Sequence, residues 1–438
     1  MLSVIDWRGK ALTPQWLRLN VPRVSAEDSS VDDTVQELID DVRARGSEAL
    51  GEQAERFDKC RPESIRSAPE KAEEALSQLD SDLKASISLA IERVRQASEA
   101  QVPPEKVTTL AAGATVTQRW QPVERAGVYI PGGKAVYPSS VVMNVVAAQV
   151  AGVREIVLVS PPQAEFGGEI HPTILATAQM LGVTEIYRIG GAGAIAALAY
   201  GVPDAHLAPV STISGPGNIF VATAKRLVKG VVGIDSEAGP TEIVVIADGS
   251  TPADYVASDL VSQAEHDEMA QAILISTDED YARDVIDSVR SRATTTRHRE
   301  RVEKSLSGEQ SAVIVVDSLA DAVMVSDALA PEHLEICTES PQQIAQGIAH
   351  AGAIFLGPYT PVSAGDYLAG SNHVLPTGGQ ARFQSGLSAM TFLRPQQLVD
   401  YSNQALAEVA GDIVRFADAE DLPAHGEAVT ARFPEAEN

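Results

Sequence analysis

Chemically reactive side chains crowd into the stretch LVSQAEHDEMA, residues 260–270. Gln263 and His266 lie three residues apart, so in a helix their side chains leave neighbouring positions and can converge on one object. Glu265 would point elsewhere on the same helix. A polar helix end with a surface histidine explains this stretch as well, and the stretch alone leaves both interpretations open.

A second cluster is LAPEHLEIC, residues 329–337, at the end of a helical pattern. Glu332 and His333 are adjacent, so their side chains diverge from one point of the backbone and could serve two separate proton transfers. A helix cap or a surface pair is the alternative. Cys337 could act as a nucleophile toward an aldehyde, but its place after Leu334 and Ile336 is typical of a small packing residue.

Further candidates come from the last quarter of the chain, where GDYLAGSNH supplies Asp366 and His373 and the tail supplies Glu420 and His425. Nitrogen and oxygen ligands of this kind suit zinc or a similar divalent ion. The set that could bind one comprises Gln263, His266, Asp366 and His425. Sequence spacing does not show that these four meet, and glutamine is an unusual zinc ligand.

Three glycine-rich stretches could bind a phosphate-bearing cofactor: GVYIPGGKAVYPSS (127–140), RIGGAGAIAAL (188–198) and SGPGNIFVATAK (214–225). Each falls at a predicted junction from strand to helix, where bare backbone and helix N-terminal amides can meet an anion. None has the usual G-x-G-x-x-G spacing with an acidic residue about 20 positions later. Structural turns would explain each loop singly, whereas three together favour a dinucleotide.

The elements that must position these residues follow from the apolar pattern. Amphipathic, charged stretches predict helices from about Thr34 to Ala100, and strand-like and helical runs alternate afterwards. This alternation predicts an α/β fold with two tandem units of parallel sheet covered by helices. Predicted helices include 252–267 and one that ends at Glu332. A long loop follows Gly357, and short helices return from about Pro395.

The composition restricts the class of protein. The chain has 438 residues, 60 acidic against 34 basic, and a formal net charge of -26, which disfavours nucleic acid and anionic membranes as partners. Its two cysteines are too few for a disulfide framework, and no apolar run is long enough to span a membrane. The N-terminus lacks the apolar region of a signal peptide. We therefore expect a cytoplasmic protein.

Six motifs, in this order along the chain, resemble the histidinol dehydrogenase family: GIDSEAGPTE, DLVSQAEH, APEHLEI, SAGDYLAGSNHVLP, SGLSAMTFLR and AEDLPAHGEAV. The resemblance extends from IDWRG near the N-terminus to the final helix. Stretches such as VYPSSVVMN and VVGIDSEAGPTEI are most similar to actinobacterial members.

The resemblance implies oxidation of L-histidinol through L-histidinal to L-histidine with two NAD, as the last steps of histidine biosynthesis. It also implies one zinc ion per subunit and a homodimer whose sites combine both chains. Zinc would bind Gln263, His266 and Asp366 of one subunit and His425 of the other. His333 would be the general base, and Glu332 would activate water.

Further site residues implied by the resemblance bind substrate or cofactor. Substrate would contact the zinc ligands and His333, together with Thr241, His373 and Glu420. NAD would contact Tyr129, Asn218 and the position of Gly193. Gly193 itself departs from the family, which usually has glutamine there, and Ser211 and Thr212 replace an Asp and a following Lys or Met. Both departures fall on the cofactor side, and the sequence leaves their effect on NAD affinity open.

The resemblance further implies two incomplete Rossmann-like domains in an intertwined dimer. The predicted segments are an N-terminal helical extension (1–26), a domain with the metal and catalytic site (27–128 and 237–388), an NAD-binding domain (129–236) and a C-terminal helical tail that completes the partner subunit's site (389–438).

Three other functions compete with this interpretation. A relative that oxidises another small polyol, such as a sulfonated propanediol, should have basic residues where the tail has Glu420 and His425. A metal-dependent hydrolase, with Glu332 activating water, would leave the three glycine loops without a role. A non-catalytic nucleotide-binding regulator would leave Glu332 and His333 unexplained.

Overall fold

The structure is a computed structural model that describes residues 2–23, 31–132, 135–237 and 239–433. Its strands are β1 (Ser3–Asp6), β2 (Lys106–Ala111), β3 (Ala114–Pro122), β4 (Arg125–Tyr129), β5 (Glu155–Ser160), β6 (Glu185–Arg188), β7 (Thr212–Ser214), β8 (Gly233–Ile234), β9 (Glu242–Ala247), β10 (Gln271–Ser276), β11 (Ala312–Val315), β12 (His333–Cys337), β13 (Ala353–Leu356) and β14 (Leu393–Tyr401).

The helices are α1 (Pro14–Asn20), α2 (Asp32–Arg45), α3 (Ser47–Phe57), α4 (Pro69–Gln78), α5 (Ser81–Glu99), α6 (Pro138–Val150), α7 (Pro172–Met180), α8 (Gly191–Tyr200), α9 (Ile219–Val228), α10 (Ala253–Ala264), α11 (Glu279–Thr295), α12 (Arg299–Ser307), α13 (Leu319–Leu329), α14 (Pro341–Ala345), α15 (Val362–Tyr367), α16 (Asn403–Ala419) and α17 (Pro423–Thr430). Within the described ranges, no helix combines the length and the apolar character that a membrane span requires.

A six-stranded parallel sheet has the order β1-β11-β10-β9-β12-β13. Strands β9, β10 and β11 are buried along their whole length, because helices cover both faces of the sheet. Residues of α10, α11 and α12 pack on one face. Residues of α1 and α13 pack on the other, around Trp7 and Leu17.

A five-stranded parallel sheet has the order β6-β5-β4-β7-β8. Apolar residues of α2, α3, α8 and α9 pack against this sheet in one core. The two parallel sheets confirm the predicted α/β fold with two Rossmann-like units. Because β1 joins the six-stranded sheet, the predicted N-terminal extension contains a strand as well as a helix.

The chain divides into two compact units. The first contains Met1–Gln101 and Val123–Phe392, and therefore both parallel sheets. Because both parallel sheets belong to one unit, this division does not bear on the domain boundary predicted between residues 128 and 129. Strand β4 pairs with β5 and β7, and α2 and α3 pack on the same five-stranded sheet.

The second unit contains Val102–Pro122 and the chain from Leu393 onward. Its strands form an antiparallel sheet of order β14-β3-β2, and its helices α16 and α17 pack on one another. The sequence pattern predicts the helices but not this sheet. Strand β14, LRPQQLVDY, is exposed along most of its length, so it lacks the apolar alternation that would reveal it.

Candidate active site

Glu332 and His333 lie at the start of a strand, and the helix predicted to end at Glu332, α13, ends earlier, at Leu329. Ala330 then adopts a left-handed backbone with φ of 50°, and Pro331 follows, two features that terminate a helix. His333 is the first residue of β12. The pair therefore lies at the amino end of the six-stranded sheet.

One ring nitrogen of His333 is hydrogen-bonded, and the other has no hydrogen-bond partner among the residues that the structure describes. Its Nδ1 lies 2.9 Å from the backbone oxygen of Glu242 on the neighbouring strand. A carbonyl oxygen only accepts, so we assign the hydrogen to Nδ1 and the lone pair to Nε2. Nε2 is buried and has no hydrogen-bond partner among the described residues. Burial also lowers the pKa of His333, which favours the neutral form of the ring, the form that can accept a proton.

Glu332 is held by two donors at the start of β9. Its Oε2 accepts from Thr241 Oγ1 at 2.6 Å and from the Glu242 backbone nitrogen at 2.9 Å. Burial raises the pKa of Glu332 to about 8. Burial, and then repulsion from Glu332, raise the pKa of Glu242 to about 7. Glu332 can therefore exchange a proton near neutral pH, as a catalytic acid or base must.

Helix α10 carries Gln263 near its end, as the sequence predicts, but it is shorter than the predicted 252–267. The helix ends at Ala264, and one more turn brings the His266 nitrogen to 3.2 Å from the Gln263 backbone oxygen. The buried Gln263 side chain donates from Nε2 to Thr241 Oγ1 at 2.6 Å, which leaves its amide oxygen for another partner. His266 is exposed.

Asp366 lies on α15, within the segment that the sequence predicts as a loop. His373 lies close by, with Nδ1 at 3.0 Å from the Asp366 backbone oxygen and Nε2 at 3.2 Å from Ser140 Oγ. Burial lowers the pKa of His373 to about 4, so the neutral ring donates from Nδ1 and accepts from Ser140. Burial raises the pKa of the Asp366 carboxyl to about 6, against an opposing effect of His333.

These residues form one electrostatic neighbourhood. The protonation of His266, Asp366 and His373 is in each case influenced by His333, and that of Asp366 also by Glu332. The first unit thus brings together residues from four distant segments of the chain. Together with Thr241 and Gln263, they provide a free base and a carboxyl group that titrates near neutrality.

The three glycine loops all follow the carboxyl ends of strands in the five-stranded sheet. They connect β4 to α6, β6 to α8 and β7 to α9. Gly133 and Lys134 of the first loop lie outside the described residues. Ligands of α/β proteins commonly bind at this end of a parallel sheet, beside helix N-termini. The predicted junctions from strand to helix are confirmed.

Two predicted cofactor contacts also stabilise these loops. Tyr129 is buried at the end of β4, and its hydroxyl accepts from the Gly191 backbone nitrogen at 3.3 Å. Asn218 is the N-cap of α9, where its Oδ1 accepts from Phe220 and Val221 nitrogens at 3.0 and 3.2 Å. Asn218 is exposed, so its Nδ2 can reach a ligand.

Comparisons with known proteins agree along the whole chain. The family model described as histidinol dehydrogenase matches residues 21–433. Histidinol dehydrogenase of Leifsonia xyli subsp. xyli is 55% identical, over 99% of this chain and 100% of the relative. That of Corynebacterium glutamicum is 52% identical, over 99% and 98%. The crystal structure of histidinol dehydrogenase from Elizabethkingia anophelis has a TM-score of 0.92 at 32% identity, over 98% of both chains.

The chain belongs to the histidinol dehydrogenase family. The predicted resemblance, including that to actinobacterial members, is confirmed. Membership makes the chain an NAD-dependent oxidoreductase and implies zinc as a second cofactor.

Of the four zinc ligands that the resemblance implies, Gln263, His266 and Asp366 belong to the first unit. Among the described residues, no group of three or more His, Cys, Asp or Glu side chains is arranged as a metal site. The predicted set draws only two side chains of these types, His266 and Asp366, from this unit, and its third member there is the amide of Gln263. Burial disfavours the charge on Asp366, so a bound cation would stabilise it. These donors fit zinc as part of a larger set.

Gly193, where the resemblance implies a glutamine, packs closely against another helix. A Cβ at this position would lie 2.3 Å from Gln53 Oε1 and 3.0 Å from Leu50 Cδ2, both on α3. The second departure lies at the start of β7, where Ser211 is exposed and Thr212 is buried. Close packing of α3 on α8 thus replaces the side chain expected at position 193.

The remaining predicted site residues belong to the second unit. Glu420 is the C-cap of α16, and His425 lies in the first turn of α17. Both are exposed in the single chain.

Cys337 lies in the apolar core of the six-stranded sheet. It is at the carboxyl end of β12, whereas His333 is at the amino end. Burial raises the pKa of its thiol, which opposes formation of a nucleophilic thiolate.

Two residues of the site escaped the sequence analysis. Glu242 positions both His333 and Glu332. The feature of the sequence that could have revealed it is an acidic residue at the first position of the otherwise apolar strand EIVVIA. Ser140 contacts His373 from the first turn of α6. Only its place beside a glycine loop hinted at a role.

Proposed function

We propose that this chain oxidises L-histidinol to L-histidine in two NAD-linked steps. In the first, the primary alcohol loses a hydride to NAD and a proton to a base, which gives L-histidinal. Water then adds to the aldehyde, and the hydrate loses a second hydride and proton to give the carboxylic acid. The observation that carries this proposal is the buried, unpartnered Nε2 of the neutral His333, among the residues that the structure describes.

His333 serves as the base in both oxidations. Its Nε2 takes the hydroxyl proton of the alcohol as the carbon-bound hydride leaves, and later the corresponding proton of the hydrate. The hydrogen bond from Nδ1 to the Glu242 carbonyl fixes the tautomer and stabilises the positive charge that develops on the ring. A base of this kind must release each proton before it acts again.

Glu332 prepares the second oxidation. In its ionised form the carboxylate takes a proton from water while the water oxygen adds to the aldehyde carbon, and the proton then passes to the former aldehyde oxygen to give the neutral hydrate. Thr241 Oγ1 and the Glu242 nitrogen keep this carboxylate oriented through their bonds to Oε2. The pKa of about 8 means that a substantial ionised fraction is present above neutral pH.

Gln263, His266 and Asp366 would hold zinc, and His425 of the partner subunit would complete the set. Zinc held by these residues would supply a template that orients the substrate. Thr241, His373 and Glu420 are proposed substrate contacts. NAD would bind the glycine loops through Tyr129, Asn218 and the backbone at Gly193. The proposed assembly is a homodimer with shared sites.

The direct test is to incubate purified, zinc-loaded protein with L-histidinol and NAD and to follow NADH by absorbance. We expect two NADH for each L-histidine formed. A sulfonated propanediol serves as the comparison substrate. Turnover of that compound but not of histidinol, or only one NADH for each histidinol consumed, would contradict the proposal.

A further inference from the structure

Lys225 and Asp235 form an ion pair inside the five-stranded-sheet region, and their side chains are only 1% and 3% exposed. A buried pair of charges loses its hydration, and its mutual attraction often does no more than offset that loss. Such a pair is therefore weak support for stability by itself. Its hydrogen bonds indicate what else it does.

Both charged groups bind the backbone of one glycine. The Gly215 nitrogen donates to Asp235 Oδ2 at 2.8 Å, and Lys225 Nζ donates to the Gly215 oxygen at 3.0 Å. Asp235 Oδ1 also accepts from the Ser236 nitrogen at 2.7 Å. Gly215 directly follows β7 and lies outside its pairing with the neighbouring strands. The ion pair therefore supplies hydrogen-bond partners that the buried backbone of Gly215 would otherwise lack.

Gly215 is held in a conformation that other residues rarely adopt. Its φ is 116°, and a Cβ there would lie 2.0 Å from the backbone oxygen of Tyr129. The end of β7 therefore packs directly on the end of β4. From Gly215 the chain runs through the third glycine loop to Asn218, the N-cap of α9, and Lys225 lies on the same helix. Fixing Gly215 thus fixes the spacing between two glycine loops.

The segment that carries Asp235 is also hydrogen-bonded to the segment that carries His373. The Asp235 backbone oxygen accepts from Gln384, and the Glu237 backbone oxygen accepts from Gln380 Nε2 at 2.8 Å. Both glutamines belong to the long segment that follows β13 and contains His373. The chain continues from Asp235 to Thr241 at the start of β9.

We propose that Lys225 and Asp235 are positioning residues for NAD: they hold the Gly215 loop in the conformation that binds the cofactor. This inference rests on the proposed function, because it concerns NAD at these loops. Neither side chain touches the reacting atoms. Loss of the pair should therefore weaken NAD binding, with little effect on histidinol binding or on turnover at saturation.

The test uses the double variant Lys225→Met/Asp235→Asn, which removes both charges and leaves no isolated buried ion. The matched control is Arg226→Met, the next residue on α9, whose exposed ion pair with Asp32 does not reach Gly215. We expect the KM for NAD to rise at least tenfold in the double variant. The kcat and the KM for histidinol should stay within twofold, as should all constants of the control.

A purely structural pair would lower the thermal midpoint and the active fraction but leave the KM for NAD unchanged. That result in a folded double variant, or an equal rise of both KM values, would overturn the proposal. A second measurement needs no variant. In the wild-type protein, NAD should slow hydrogen exchange of amides in 211–225, and absence of that protection would also overturn it. Wild-type protein that reduces no NAD would instead refute the proposed function.

Discussion

At the scale of single residues, the tautomer of His333 explains why it can act as the base. Nδ1 is engaged by the Glu242 carbonyl, so only Nε2 can take a proton. The partner is a backbone group, and therefore no side-chain substitution elsewhere can supply or remove it directly. This arrangement makes the role of the imidazole testable at one position.

We predict that His333→Gln will lower kcat for the first oxidation by about 10²–10⁴-fold, the usual contribution of a general base. Zinc content should not change, because His333 is not among the proposed ligands. Single-turnover NADH formation and metal analysis measure the two quantities. His298→Gln, at the N-cap of α12, is the control. Full turnover by the His333 variant would refute the assignment.

Glu332→Gln should separate the two oxidations. The amide can still accept from Thr241 and Glu242, but it cannot take a proton from water, so hydration of the aldehyde should slow more than the first hydride transfer. Rapid-mixing experiments that start from histidinol or from histidinal measure the two steps. Equal slowing of both steps would mean that the proposed division of labour is wrong.

The raised pKa of Glu332 also predicts a pH dependence. The carboxyl group must be ionised to act, and it ionises as the pH rises through about 8. The rate of oxidation of histidinal should therefore increase between pH 6 and 9. Burial lowers the pKa of His333, which moves its titration away from the rise assigned to Glu332. In Glu332→Gln this increase of the rate with pH should disappear. If the increase persists, the titration belongs to another group.

At the scale of elements, the contact between α3 and α8 accounts for the glycine at 193. A side chain there would meet the Gln53 amide and Leu50, which already fill the space. The packing of α3 on α8 thus occupies the space that a side chain at position 193 would take on the cofactor side. The consequence is measurable as an energetic coupling between the two helices.

We predict that Gly193→Gln will destabilise the protein by about 1–3 kcal/mol, as overpacking of a core usually does. Gln53→Ala should recover part of this loss, because it removes the atom nearest the new Cβ. Urea unfolding of the two single variants and the double variant gives the coupling energy. Glu52→Ala, an exposed neighbour on α3, should give no recovery. Additive effects of positions 53 and 193 would contradict this packing explanation.

At the scale of the whole molecule, the proposed active site needs two chains. His425 belongs to the second unit, and the resemblance assigns it to the zinc site of the partner subunit. If so, each site takes His333 from one chain and His425 from the other. Subunit exchange between two inactive variants can test this arrangement.

We predict that mixing inactive His425→Ala and His333→Ala proteins, under conditions that allow exchange, will restore about a quarter of wild-type activity. Random exchange makes half of the dimers heterodimers, and in each of them one site carries both defects while the other is intact. Mass spectrometry or labelling must show that exchange occurred. Exchange without recovery would place His425 in its own subunit's site or in none.

The sequence by itself determined the fold class and the residues capable of chemistry. Alternating apolar runs predicted two parallel sheets because strands covered on both faces are apolar throughout. The three glycine loops were found at their junctions because glycine marks tight turns locally. The motifs around Gln263, Glu332 and Asp366 identified the family, since each is a short local pattern.

Tertiary structure alone decided how those residues act. The register of β12 on β9 sets Glu332 and His333 against Thr241 and Glu242, which are about ninety positions away in the chain. The tautomer and the raised or lowered pKa values depend on burial, which no local pattern specifies. Strand β14 pairs with β3 across more than 270 residues, and such long-range pairing leaves little local signal when the strand is exposed.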